Sequence, residues 1–298
     1  YVNTFSELSS AQGVSSKLSF GTHGYKTKEA SYSKKRDKSS TILRISQAES
    51  NGYREHSGYK NKSFFFKHTI DLEKVKLKMN SLYFDSPYAF DPGGLTIESV
   101  NENRSQGRDR NVLFDAQESV KQLQTGVALD WNTAAGTVKS SLYYSNRDFV
   151  GLLPFTDGGY VELSRDFAGL ELSLNRRFNE FEWMLGASAQ SQADDRKRFQ
   201  NNEGVKGEMA MDQLESFDSY GIFALGSLNK SKYSLQAGVR FDVHQISMDD
   251  NFGLDQQYVD YSSRLSAYSP NIGFIYNLNK NDELYANYGS SYETPSLS

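Results

Sequence analysis

Tyr233-Ser234-Leu235-Gln236-Ala237-Gly238-Val239-Arg240-Phe241-Asp242-Val243-His244 alternates residue by residue, with Tyr, Leu, Ala, Val, Phe and Val on one side and Ser, Gln, Gly, Arg, Asp and His on the other. A repeat of two is the signature of an extended strand, because successive side chains point to opposite faces. The same pattern recurs in Leu123, Thr125, Val127, Leu129 and Trp131, in Leu170, Leu172 and Leu174, in Val75, Leu77 and Met79, and in Ile272, Phe274 and Tyr276. Helical spacing never competes over a comparable length. Thirteen strands are expected, near 14–22, 25–35, 40–50, 60–70, 74–84, 118–131, 137–147, 161–177, 181–191, 217–228, 232–247, 268–277 and 283–292.

The composition narrows the class. Of 298 residues, 23% are charged and 37% hydrophobic, yet Tyr and Phe number 19 each and Pro only 5, too many rings for a disordered chain. No apolar run approaches the roughly 18 residues of a spanning helix. A net charge of -4 supplies no basic field, which argues against nucleic acid as a partner. The absence of Cys removes disulfides, thiolate zinc sites and cysteine nucleophiles.

A soluble sandwich also alternates, but three features favour an antiparallel transmembrane β-barrel. Many strands reach the roughly 9–11 residues that a tilted crossing needs, against about 5–6 in soluble sheets. Short turns at one end oppose long polar loops at the other, near 51–59, 86–117, 148–160, 192–216 and 248–267, as in outer-membrane barrels. Trp131, Phe178, Phe181, Trp183, Tyr233 and Tyr276 gather at the short-turn end, as an interfacial belt requires. Thirteen is an odd count, and an ordinary bacterial barrel closes with an even one.

Asp91-Pro92-Gly93-Gly94-Leu95-Thr96, Asn51-Gly52-Tyr53-Arg54, and Tyr285-Ala286-Asn287-Tyr288-Gly289 followed by Tyr292-Glu293-Thr294-Pro295-Ser296-Leu297 resemble TonB-dependent outer-membrane receptors. The opening Tyr1-Val2-Asn3-Thr4 resembles the last strand of that family's plug. The resemblance implies an all-β transmembrane barrel of about 22 strands, of which about thirteen are here. Residues 1–12 would be the end of the plug and its link, and residues 13–298 a partial barrel without the plug domain. It further implies a receptor in the outer membrane of a Gram-negative bacterium for energy-coupled uptake of a ferric siderophore or similar scarce nutrient. A TonB-type coupling protein would engage a missing N-terminal region, and outer-membrane lipid and lipopolysaccharide would surround the barrel. Haem, cobalamin or a glycan are other cargoes within the resemblance. A passive porin-like or structural barrel and a soluble β-rich binding or adhesion module remain alternatives.

Nothing points to an enzyme, a catalytic residue, a cofactor or a metal site. His23, His56, His68 and His244 lack metal-ligand spacing, and no nucleophile elbow or phosphate loop occurs. Asp249, Asp250, Asn251, Asp255 and Asp260 lack the spacing of a calcium loop, and solvation accounts for the mixed charges at 194–208. The candidate ligand-binding residues lie at the long-loop end: Tyr53, Arg54 and Tyr59; Phe90, Arg104, Arg108 and Arg110; Arg147, Phe155 and Tyr160. Guanidinium groups beside aromatic rings suit an anionic chelate bearing flat or hydrophobic groups.

Overall fold

The computed structural model describes residues 12–253 and 260–294. The plug-end reading of residues 1–12 therefore lies almost wholly outside the described residues, as do residues 254–259 of the last long loop and the final Pro295-Ser296-Leu297. The strands are β1 (Gly13–Phe20), β2 (Lys26–Arg36), β3 (Ser39–Ser50), β4 (Tyr59–Asp71), β5 (Val75–Phe90), β6 (Gln117–Thr133), β7 (Gly136–Leu152), β8 (Tyr160–Phe178), β9 (Phe181–Asn202), β10 (Val205–Asn229), β11 (Tyr233–Asp250), β12 (Tyr261–Asn277) and β13 (Glu283–Gly289). Two short helices, α1 (Ile97–Glu102) and α2 (Asp109–Leu113), interrupt the loop between β5 and β6. No helix among the described residues is long and apolar enough to cross a membrane.

Each strand pairs antiparallel with its neighbour in sequence, giving one sheet in the order β1 to β13. The expected all-β class and strand count hold. β1 and β13 do not pair with one another, so the sheet is an open arc.

Register sorts the side chains. Met79, Val127, Leu142, Leu170, Ala189, Tyr220 and Val243 are successive cross-strand partners and form one apolar row on the outward face. One residue along, Asn80, Gly126, Tyr143, Gly169, Gln190, Ser219 and His244 form a row on the opposite, lumen face. A one-residue slip would exchange the two faces throughout, so the alternation fixes the pairing. Gly169 has its place because the Tyr143 ring occupies the space where a Cβ would be, and Gln190 Nε2 donates to the Tyr143 hydroxyl at 2.9 Å.

The short turns comprise residues 37–38, 72–74, 134–135, 179–180, 230–232 and 278–282. Near them Trp131, Phe178 and Phe181 are exposed, the apolar-and-wet position that interfacial rings favour. Lys230 and Glu180 pair across neighbouring turns, and this hydrogen bond raises the Lys230 ammonium above its ordinary range.

The long-loop end differs from the sequence expectation in one important place. Residues 192–216, expected as an irregular loop, continue β9 and β10 up to a two-residue turn at Glu203-Gly204, both with positive φ (53° and 90°). Two consecutive positive φ values match the right-handed twist of a tight hairpin. Charges on both faces concealed the strands: Asp194, Arg196 and Arg198 alternate with Asp195, Lys197 and Phe199. Strand also absorbs residues 86–90, 148–152 and 261–267, leaving shorter loops at 51–58, 91–116 and 153–159.

The sidedness gives a direct expectation. In a full-length protein refolded into vesicles, Val127→Arg, Leu172→Arg or Val239→Arg should cost about 2–4 kcal/mol near the bilayer midplane, and Ser173→Arg or Gln236→Arg much less. Denaturant midpoints check the difference; equal tolerance on both faces would invert the register.

Candidate functional site

The loops at the long-loop end are joined by hydrogen bonds into one assembly. In the 51–58 loop, Ser57 Oγ accepts from the Arg54 amide at 3.0 Å and donates to its carbonyl at 2.6 Å. That bend aims the Arg54 guanidinium across to the 91–116 loop. There Nε donates to the carbonyl of Gln106 (3.0 Å), Nη1 to that of Gly93 (2.6 Å) and Nη2 to that of Pro92 (3.0 Å). The Glu55 amide adds a bond to the Ser105 carbonyl at 2.7 Å, and His56 Nε2 lies 2.8 Å from the Ala116 carbonyl oxygen.

Within the 91–116 loop, Asp91 accepts from the Gly93 amide at 2.9 Å and from Asn111 Nδ2 at 3.0 Å. Asn111 is only 2% exposed. Gly93 has φ 67°, and a Cβ there would come within 2.5 Å of Asn111 Oδ1, so both backbone and space require glycine. Thr96 caps α1 by accepting from the Ser99 amide. The Glu98 carboxyl is held below its ordinary range by its own backbone amide and the Thr96 hydroxyl.

Asn201, with no exposed surface, binds three segments at once. Its Nδ2 donates to the carbonyls of Phe114 and Leu153, each at 2.9 Å, and its Oδ1 accepts from the Gly204 amide at 2.8 Å. The 91–116 loop, the 153–159 loop and the β9–β10 hairpin are thereby fixed to one another.

Of the candidate residues, Arg104, Arg108 and Arg110 are exposed on the 91–116 loop. Arg110 lies over the Phe114 ring at 5.9 Å. Tyr53 is half exposed and meets His23 edge-on at 5.5 Å. Arg54, by contrast, is engaged with backbone carbonyls, so it positions the loop. Tyr59 lies on the lumen face opposite Ser50, and Arg147 lies on it opposite Gln122 and Arg165. Phe90 and Tyr160 share the outward row of Gln117, Leu152 and Phe199. Phe90 packs against His56 and Tyr88, while Tyr160 meets Phe199 edge-on. Phe155 is half-buried in the 153–159 loop. The ten residues thus divide among loop, lumen wall and outward face.

The lumen wall also carries a charge array that reading 192–216 as loop obscured. Arg165 binds Asp194 with two bonds of 2.7 and 2.5 Å, and Gln192 Nε2 donates to the same carboxylate at 3.2 Å. Arg196 donates to Glu215 at 3.2 Å. Asp194 and Glu215 are 2% and 3% exposed, and their two arginine partners offset that burial. Arg147 faces Arg165 directly and has no carboxylate partner among the described residues; its Nε is buried without a hydrogen-bond acceptor. Period-two alternation in 192–198 was the available signal for this array.

A family model described as TonB dependent receptor-like, beta-barrel matches residues 63–298. The chain belongs to that family. Its fold resembles the ferric citrate transporter FecA in the unliganded form, with a TM-score of 0.69, 14% identity, and coverage of 92% of this chain and 42% of that one. It also resembles the copper transporter OprC, with a TM-score of 0.68, 14% identity and coverage of 95% and 45%. A third similar structure is the siderophore receptor PiuA from Acinetobacter baumannii, with a TM-score of 0.68, 11% identity and coverage of 93% and 48%. The chain therefore spans less than half the length of these three structures. No curated protein sequence matches it. TonB-dependent receptors are transport receptors of the Gram-negative outer membrane rather than enzymes, and the long loops of such a barrel are its extracellular ones.

Asn201 provides a test of the loop assembly. Asn201→Ala in the full-length receptor removes three hydrogen bonds and leaves the Phe114 carbonyl and the Gly204 amide without protein partners, while the Leu153 carbonyl keeps only the Phe155 amide, so loop opening should become at least about tenfold more frequent, roughly 1.4 kcal/mol. Hydrogen exchange of segments 111–116 and 153–159 should accelerate accordingly, with strand exchange in β6 and β7 unchanged. Equal rates in both proteins would mean that the loops are held without Asn201.

Proposed function

We propose that this receptor captures an anionic ferric siderophore, or a chelate of similar charge, at its extracellular rim and takes it up across the outer membrane of a Gram-negative bacterium. The observation that carries this reading is the set of cations left over once the structural pairs are assigned. Arg104 and Arg108 are exposed on a loop that Arg54 clamps from the neighbouring loop, and no hydrogen bond or ion pair engages either side chain among the described residues. On the lumen wall, Arg165 and Arg196 are neutralised by Asp194 and Glu215, whereas Arg147 is not. A chelate entering from outside meets Arg104, Arg108 and Arg110 first, with Tyr53 and Phe155 as ring surfaces.

Family membership supports transport coupled to a TonB-type partner, with a plug in the lumen as the moving part. The likeness to structures named as ferric citrate, copper and siderophore proteins supports a metal chelate as cargo. On this reading the chain's own chemistry is recognition: guanidinium donors pair with carboxylate or catecholate oxygens, and rings cover the flat groups between them. Arg54 keeps the rim in place without touching the cargo.

Arg104→Ala, Arg108→Ala and Arg110→Ala combined in the full-length receptor should weaken ferric-ligand binding on intact cells at least about tenfold, with barrel melting unchanged. Lys230→Ala and Glu180→Ala, at the opposite end, should bind as the parent does. Equal effects from the two sets, or none from either, would remove the chelate from this rim.

A further inference from the structure

The outward face carries a second feature, unrelated to the rim. Ile45, Phe64, Tyr83 and Leu123 are successive register partners and form the uppermost apolar row on β3 to β6. Two residues further toward the loops, about 7 Å along each strand, the row becomes Lys28, Gln47, Lys62, Asp85 and Lys121. The row above it contains Lys26, Glu49 and Lys60. Five lysines thus share one outward patch with two carboxylates.

The existing pairs leave most of this charge uncompensated. Glu49 lies 3.9 Å from Lys26 and 3.7 Å from Lys60. Lys28, Lys62 and Lys121 are exposed and make no hydrogen bond or ion pair among the described residues. Asp85 lies between Lys62 and Lys121 in register, yet one of its carboxylate oxygens is buried with no hydrogen-bond partner. Beyond β6 the same row turns acidic at Asp148 and Asp195, confining the positive charge to β2, β4 and β6.

We infer that this patch binds the phosphorylated head of an outer-leaflet glycolipid, lipopolysaccharide, whose acyl chains lie on the apolar row beneath it. Two observations select that occupant. The lysines adjoin the surface that faces hydrocarbon, so a single amphiphile covers both rows. Ammonium groups in two adjacent rows suit a head bearing more than one phosphate. The inference rests on the membrane-barrel reading but is independent of any cargo.

The test uses full-length receptor purified in detergent, with native mass spectrometry counting retained lipopolysaccharide and titration with bisphosphorylated lipid A. Lys28→Gln, Lys62→Gln and Lys121→Gln together should lower lipid A affinity at least about tenfold. The corresponding triple Arg variant should bind as the parent does, and dephosphorylated lipid A should not compete. Parent-like affinity in the triple Gln variant would overturn the site. So would competition by inorganic phosphate at the potency of lipid A, or a parental dimer that the same variant dissociates, which would assign the patch to a second copy. Heat-modifiable migration checks the barrel in each preparation, and ferric-ligand binding, read in parallel, tests the rim separately.

Discussion

An extended chain in hydrocarbon has no water to satisfy its amides, so each strand must find its partners on the strands beside it. The ladder from β1 to β13 gives every interior strand a neighbour on each side, and the rest of the structure follows from it. Once neighbours are paired in register, side-chain parity is no longer free. One parity faces lipid and must be apolar, as in Val127, Leu142 and Leu170; the other faces the lumen and is free to carry Tyr143, Gln190 and Ser219. The low overall hydrophobicity of the chain is therefore compatible with a membrane protein, because only alternate residues meet the bilayer.

The same demand for satisfied polar groups governs the loops by different means. No ladder runs through residues 91–116, so side chains supply the missing partners. Arg54 serves three carbonyls from outside the loop, Asn111 joins Asp91 within it, and Asn201 reaches it from β9. On the lumen wall, Asp194 and Glu215 are tolerated at near-complete burial because arginines on the same wall hold them. These residues are polar and look like recognition groups, yet most of their bonding capacity is already committed to the fold.

That distinction explains what the sequence made legible. Strand identity and sidedness were readable wherever the outward parity is apolar, since hydrophobicity marks the alternation directly, as from Tyr233 to Val243. Above the apolar band both parities are charged, the marker vanishes, and residues 192–216 read as loop although their backbone remains paired. The candidate rim suffers from a related ambiguity. Arg54 and Arg104 belong to the same residue class in similar polar loops, but one is enclosed by carbonyls 39 and 52 residues away and the other is free in solvent. Sequence separation of that size carries no local signal. Phe90 and Tyr160 likewise sit beside the loops in sequence while register turns them outward.

The hairpin of β9 and β10 is the stiffest part of the long-loop end. Most of its length is ladder, so bending it across the opening would break pairs between Asp194 and Glu215, Arg196 and Gln213, and Lys197 and Asp212 in succession. Its bulges near Lys206 and Met209 lie close to the tip, too far out to act as a hinge at the barrel edge. The hairpin is a fixed parapet, and through Asn201 it holds the two adjoining loops upright as well.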